Sequence, residues 1–400
     1  MMNYKQDFPL LAKNPVAYLD NAASTQKPKV VIDAISNFYE TKYANVHRGL
    51  YQLSEQATQA YEDAREEVRT FIGAEKQEEI IFTSGTTASI NLVANSLGDL
   101  LLKVGDVILL NPTDHHSNII PWQLVAKRIG AEIQWFDITA DAEIDLETVG
   151  EKITPEVKII AVGHIANGSG IINPIAEIIE HAHKHDIPVV VDAAQSVPHL
   201  AIDVQKLDCD FLAFSGHKLC GPTGSGVLYG KEKWLERMEP WQGGGEMMSE
   251  VSRTGATWAE LPAKFEAGTP NIAGAIGLAA AMKYLNGIGM DVIHDATNEI
   301  YKYLMIELQN LDYITVLGTS DMSKRNSIAS FKIAGAHPHD IAQILDDNQV
   351  AVRAGHHCAQ LLMECWNVVA TTRASVYFYN DKNDVDLLIA GLQEVNKIFK

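Results

Sequence analysis

The chain has 400 residues, 46% of them hydrophobic and 21% charged, an ordinary balance for a soluble protein with a large core. A length beyond the ~250–300 residues at which single cores stop growing predicts two unequal domains. Acidic residues outnumber basic ones by 51 to 32, a net charge of −19, and a field of that sign disfavours nucleic acid and anionic membrane surfaces as partners.

The N-terminus Met1-Met-Asn-Tyr-Lys-Gln-Asp-Phe8 has neither an apolar signal core nor an Arg-rich pattern, so a cytoplasmic protein is expected. Apolar runs such as 158–163 and 187–191 fall far short of the ~18 residues that a membrane helix needs. Cys209, Cys220, Cys358 and Cys365 are too few for a disulfide framework, so each is judged as a core thiol or a reactive one. From about 55 to 230, amphipathic segments alternate with short β-branched runs at 79–83, 106–110, 132–136, 158–162, 189–191, 211–214 and 226–229. That alternation predicts an α/β fold with a mostly parallel sheet covered on both faces. In such sheets ligands bind beyond the carboxyl ends of the strands.

Three polar motifs follow those runs. In Phe82-Thr-Ser-Gly-Thr-Thr87, Gly85 allows close backbone approach, and Thr86 and Thr87 at a helix N-terminus suit a phosphate, although the same residues make ordinary caps. In Thr113-Asp-His115-His-Ser-Asn118, His115 suits stacking on a cofactor ring and proton exchange at a pKa near working pH. Metal ligation by His115 and His116 is the rival reading, with no Glu or further His at helical spacing to complete it. The run Val189-Val-Val-Asp192-Ala-Ala-Gln195 ends on a carboxylate that either caps a helix or partners a protonated ring nitrogen.

The most telling segment is Ser215-Gly-His-Lys218, which follows the run 211–214 and precedes Cys220-Gly-Pro-Thr-Gly-Ser-Gly226. A lysine at a strand end beside a hydroxyl, an imidazole and a glycine-rich turn can form a Schiff base while its neighbours hold a phosphate. Beyond it, Gln242-Gly-Gly-Gly-Glu246 leads to a helix-like stretch of small residues at 273–282. A C-terminal α+β part is then expected, with strands at 327–333 and 374–379 and helices near 338–348 and 383–399. The expected division is a large domain over 20–280 and a small one over 281–400 joined by 1–19.

Together with Arg353-Ala-Gly-His-His-Cys358-Ala-Gln, Leu19-Asp-Asn-Ala-Ala-Ser-Thr25 and Arg373-Ala-Ser375, these motifs resemble the cysteine desulfurases of the class V aminotransferase group, in the subgroup serving SUF iron–sulfur assembly. The resemblance implies a fold-type I homodimer that binds pyridoxal 5'-phosphate on Lys218. It implies Asp192 on the ring nitrogen, Gln195 and Asn167 near the ring hydroxyl, and Thr86, Thr87, Ser215 and His217 at the phosphate, joined by Thr269 of the partner subunit. Arg373, with Arg353 and Asn167, would hold the substrate carboxylate, a role that suits a guanidinium. Cys358, in a cationic neighbourhood, would be the nucleophile that takes sulfur from L-cysteine, with His115 handling protons. Cys209, Cys220 and Cys365 are expected to be buried inert thiols, Cys220 being near enough to Lys218 to compete.

Many members carry His where this chain has Tyr51, so an accessory imidazole is not expected there. The cluster His181-Ala-His-Lys-His185 reads as a solvated helix end. His339, in Ala336-His-Pro-His339, reads as an exposed imidazole at a helix start, suited to the zinc of a sulfur-acceptor protein. The same resemblance leaves selenocysteine lyase or cysteine-sulfinate desulfinase activity open. An inert sulfur-carrying scaffold would need Cys358 without Lys218, and a metal-dependent hydrolase on His115, His116 and the His181 cluster would need neither.

Overall fold

The computed structural model describes residues 4–400, so the first residues of the segment 1–19 lie outside the description. A seven-stranded sheet dominates, in the order Ile80–Thr83, Gly226–Gly230, Phe211–Ser215, Val189–Asp192, Val157–Gly163, Val107–Leu110, Glu132–Trp135. Gly226–Gly230 runs antiparallel to both neighbours, and the four pairings from Phe211–Ser215 to Glu132–Trp135 are parallel. The α/β expectation therefore holds. Val107–Leu110, Val189–Asp192 and Phe211–Ser215 are buried throughout, which is why they read as unbroken apolar runs rather than alternating ones.

Two apolar cores cover the faces of this sheet. The helix Ile272–Ile288 is apolar nearly all round and packs its small residues into a further cluster with Phe38, Val46 and Tyr61, as a buried helix must. It runs through position 280, so a division between 280 and 281 would cut a helix. Its end at Gly289, with φ 98°, is the next break in the chain.

A smaller antiparallel sheet follows, in the order Ile314–Val316, Ile328–Ile333, Thr371–Ser375, Arg353–Gly355. The helices Met290–Gln309, Pro338–Asp347 and Lys382–Phe399 pack on it around Phe331, Leu345 and Leu388. The N-terminal segment joins this part: Ala17–Tyr18 pairs in parallel with Val350–Ala351, and Asp20 bridges to Ser375. The strand expected at 374–379 is instead Thr371–Ser375. The aromatic run Tyr377-Phe-Tyr379 leaves the sheet: Phe378 packs edge-on against Tyr4 and Phe8, Tyr379 packs tilted on Phe8, and Tyr377 meets His199, a buried ring cluster in place of further ladder. Among the described residues no single helix is long and apolar enough to cross a membrane.

Candidate active site

Beyond the carboxyl ends of the parallel strands a cavity opens, walled by both sheets. Its floor is the hydroxyl cluster of the first sheet. Ser215 Oγ accepts the Thr86 N–H at 2.8 Å and lies 2.7 Å from Thr86 Oγ1. Thr87 Oγ1 lies 2.7 Å from Ser117 Oγ. The helix Thr86–Leu101 begins there, so first-turn N–H groups without intrahelical acceptors face the same corner. That contact depends on glycine: a Cβ on Gly226 would sit 2.4 Å from Gly85 Cα, forcing the strand Gly226–Gly230 away from the helix start.

Lys218 follows the strand Phe211–Ser215 in one tight turn, and Asp192 ends the neighbouring strand. Both line the cavity. Desolvation lowers the Lys218 pKa to about 8, against the pull of Asp192, so a minor but useful share of the amine, roughly a tenth at pH 7, is neutral and nucleophilic. Asp192 is buried and accepts the Ala194 N–H at 2.9 Å. Burial raises its pKa, while that bond and Lys218 oppose the rise. Gln195 Nε2 donates to Ala22 O at 2.8 Å. Burial, aided by Lys218 and Lys27, depresses the His217 imidazole to about 4.

His115 lines the cavity and its Nδ1 accepts the Ser117 N–H at 3.0 Å. That bond puts the proton of the neutral ring on Nε2. Desolvation, with Lys218 beside it, pushes the His115 pKa down to about 3. The expectation of a group titrating near working pH is thus corrected: burial keeps His115 a neutral ring with a fixed tautomer. Asp114, unremarked in the sequence, is buried in this turn and accepts from Asn111 at 2.9 Å, Asn118 at 2.8 Å and Gly163 N–H at 2.7 Å. Burial raises its pKa to about 8 despite those bonds. It braces the His115 turn against the strand Val157–Gly163.

On the opposite wall, strand register sets Arg353 directly across from Arg373. Like charges so placed repel, and Asp20 offsets them. Arg373 Nη2 donates to Asp20 Oδ1 at 3.1 Å and Nη1 to Asn167 O at 2.8 Å, while Nε is buried without a partner. A free N–H on a fixed guanidinium is what an incoming carboxylate would use. Asp20 is a site residue that sequence reading missed, although it stood inside a quoted motif. Asn167 Nδ2 donates to His357 O at 2.6 Å, and its Oδ1 is buried and unpaired.

Cys358 lines the same cavity and is exposed. The other cysteines stay outside the cavity lining. Cys209 and Cys220 are buried, and burial pushes the Cys220 thiol up to about 12, which disfavours its thiolate. Cys365 corrects expectation: it is exposed, at the end of the short helix Gln360–Cys365. Thr269 is exposed and apart from the cavity lining, as is Tyr51 before the helix Gln52–Ile72. His183 is not merely solvated, since its ring bridges Asp208 at 3.1 Å and Asp210 at 2.8 Å. His339 is exposed in the first turn of Pro338–Asp347, its N–H donating to His337 Nδ1 at 3.2 Å.

The donor set fits pyridoxal phosphate. A partly neutral lysine suits its aldehyde, a buried carboxylate its ring nitrogen, the unpaired Asn167 Oδ1 its ring hydroxyl, and the hydroxyl-lined helix start its phosphate. Comparisons agree with this chemistry. Residues 17–388 match the family described as Aminotransferase class-V. A protein of Halalkalibacterium halodurans named "Probable cysteine desulfurase" is 50% identical, covering 99% of this chain and 98% of that one. The apo cysteine desulfurase of Thermococcus onnurineus NA1 superposes with a TM-score of 0.94 at 41% identity, over 98% of this chain and 97% of the other. The cysteine desulfurase CsdA of Escherichia coli gives 0.92 at 38% identity, over 99% and 98%. On its sequence, its fold and the contents of its cavity, the chain belongs to the aminotransferase class-V family.

Proposed function

We propose that the chain is a pyridoxal-phosphate enzyme that removes sulfur from L-cysteine, leaving L-alanine and a persulfide on Cys358. The observation that carries this reading is one cavity holding Lys218 and Asp192 on one wall and Cys358 with the Arg353–Arg373 pair on the other. Bound there, the cofactor supplies an electron sink for a carbanion at the substrate α-carbon.

The chain's own groups do the rest. Lys218 Nζ holds the cofactor and, once displaced, takes the α-proton. Asp192 would keep the ring nitrogen protonated. His115 would stack on the ring and offer it Nε2–H. Thr86, Thr87, Ser215 and His217 would hold the phosphate, with Gln195 and Asn167 serving the ring hydroxyl. Arg373 and Arg353 bind the substrate carboxylate, and Cys358 Sγ attacks the substrate sulfur. The Cβ–S bond breaks as the S–S bond forms, the β-carbon gains a proton, and cysteine plus thiol becomes alanine plus persulfide without an outside oxidant.

The finer reading is a SUF-type, cytoplasmic homodimer with a large domain and a small one joined by residues 1–19, the division falling at the end of the helix Ile272–Ile288 rather than at 280. Thr269, exposed and away from its own cavity, would reach the phosphate as Thr269 of the partner subunit. A zinc-bearing sulfur acceptor would dock beside His339, whose exposed imidazole can replace a thiolate on zinc. The test is an absorption spectrum of purified protein before and after L-cysteine, with alanine and sulfide measured. Absence of a cofactor band, or of alanine, removes the reading. Competition with selenocysteine and cysteine sulfinate separates the substrates within it.

A further inference from the structure

The turn that presents Cys358 is strained and tied from outside. His357 has φ 55° and Cys358 φ 56°, a left-handed conformation that L-residues avoid because the side chain crowds the following carbonyl. Two such residues in succession persist only where their surroundings over-determine them. Asn167 Nδ2 donates to His357 O at 2.6 Å. The His116 N–H donates to Cys358 O at 2.8 Å, and the Gln360 N–H donates to His116 Nε2 at 3.0 Å. Gln360 opens the helix Gln360–Cys365, so its N–H has no acceptor within that helix.

His116 thus grips both sides of the thiol, one with its backbone and one with its ring. It is not among the cavity-lining residues, whereas its neighbour His115 is. We propose that His116 is a positioning residue for Cys358: its imidazole Nε2, by accepting the Gln360 N–H, holds the nucleophile turn so that Sγ meets the substrate sulfur. The inference rests on the desulfurase reading above. Burial, with His356 nearby, lowers the His116 pKa, which keeps the accepting lone pair free. The backbone tie survives any substitution at 116, so the ring is the separable part.

The experiment uses holoenzyme in a Cys365→Ser background, which removes the other exposed thiol. His116→Ala should slow single-turnover alanine release by about 10–100-fold, the usual effect of a misplaced reacting atom. The change in cofactor absorbance on adding L-cysteine, its half-saturation and the thermal midpoint should stay at their starting values. Alkylation of Cys358 by iodoacetamide should change rate several-fold, with or without cofactor. His116→Gln, whose carbonyl can accept the same N–H, should recover most of the alanine rate. Unchanged alanine release in His116→Ala overturns the proposal, as does a loss matched by a weaker cofactor response. A His116→Gln variant as slow as His116→Ala with unaltered alkylation does so too. If the starting enzyme makes no alanine from cysteine, the desulfurase reading fails, and the alkylation rates still decide whether His116 holds the turn.

Discussion

The two walls of the cavity are built differently. The Lys218 wall consists of strand ends and one helix start, with Asp192 and Ser215 buried and the backbone committed to sheet hydrogen bonds. The Cys358 wall carries its thiol on a short turn, left-handed at two residues, with His357 buried and Cys358 exposed, and pinned by side chains from the other wall. A cofactor that stays needs rigid donors; a sulfur that must leave needs a thiol near solvent. Rigidity comes from the sheet on one side and from a few tethers on the other, so substitutions on the two walls should fail in different ways.

The sharpest contrast is at the two reacting side chains. Lys218→Ala should lower alanine formation by at least ~10³-fold, since in the proposed reaction the amine is proton acceptor as well as anchor, and should abolish the cofactor's characteristic visible band. Cys358→Ser should keep the band and the spectral response to cysteine while alanine release falls by ~10²-fold or more, a hydroxyl being a poor sulfur acceptor. Cys365→Ser and Cys220→Ser should leave that release near its starting rate. A dead Cys220→Ser enzyme beside an active Cys358→Ser one would erase the contrast.

The electrostatics of the Lys218 wall give a graded test. In chain stripped of cofactor, desolvation lowers Lys218 to about 8. A lysine is nucleophilic only above its pKa. Borohydride-trapped labelling of Lys218 by an aldehyde should therefore rise through pH 8 and level off, and a rise delayed to the ordinary lysine range would show an open, solvated wall. On the opposite side, Asp20→Ala should raise the KM for cysteine by about 10-fold with little change in kcat, since Arg373 loses the bond that orients it. The thermal midpoint should fall too, because the buried guanidinium is left uncompensated. An equal loss in kcat instead would move Asp20 from orientation to chemistry. The smallest effect belongs to His339→Ala, which should leave single-turnover persulfide formation within about 2-fold while suppressing stimulation by a zinc-bearing acceptor. Unchanged stimulation would return His339 to a plain surface residue.

Legibility followed the same divide. Val107–Leu110, Val189–Asp192 and Phe211–Ser215 were readable because strands buried on both faces leave unbroken apolar runs, and Lys218 and Asp192 stand at their ends. The small sheet was less so: Tyr377-Phe-Tyr379 has strand composition, yet long-range aromatic packing against Phe8 decides its place. Asp20 and Asp114 carry no local mark of function, because their partners Arg373 and Gly163 come from distant parts of the chain. The His115 pKa depends on how closely the cavity shuts around the ring, which no spacing records. Cys365 misled because a cysteine without a motif role reads as a buried thiol, whereas it stands exposed at the end of a short helix.

Arg373 and Asp20 lie 353 positions apart, and the strand that carries Asp20 to its place pairs with Val350–Ala351. The strand Ala17–Tyr18 therefore waits for residues 350–351 to be made. During synthesis the first sheet has all its strands long before residue 350 emerges, whereas the carboxylate-binding corner closes last, a non-local step that topology makes slow. A truncated or nascent chain could gather a cofactor pocket while lacking both the thiol and the oriented arginine. Competence to release sulfur is thereby coupled to synthesis of the strand that carries Arg373, through nothing more than the order in which the strands are sewn together.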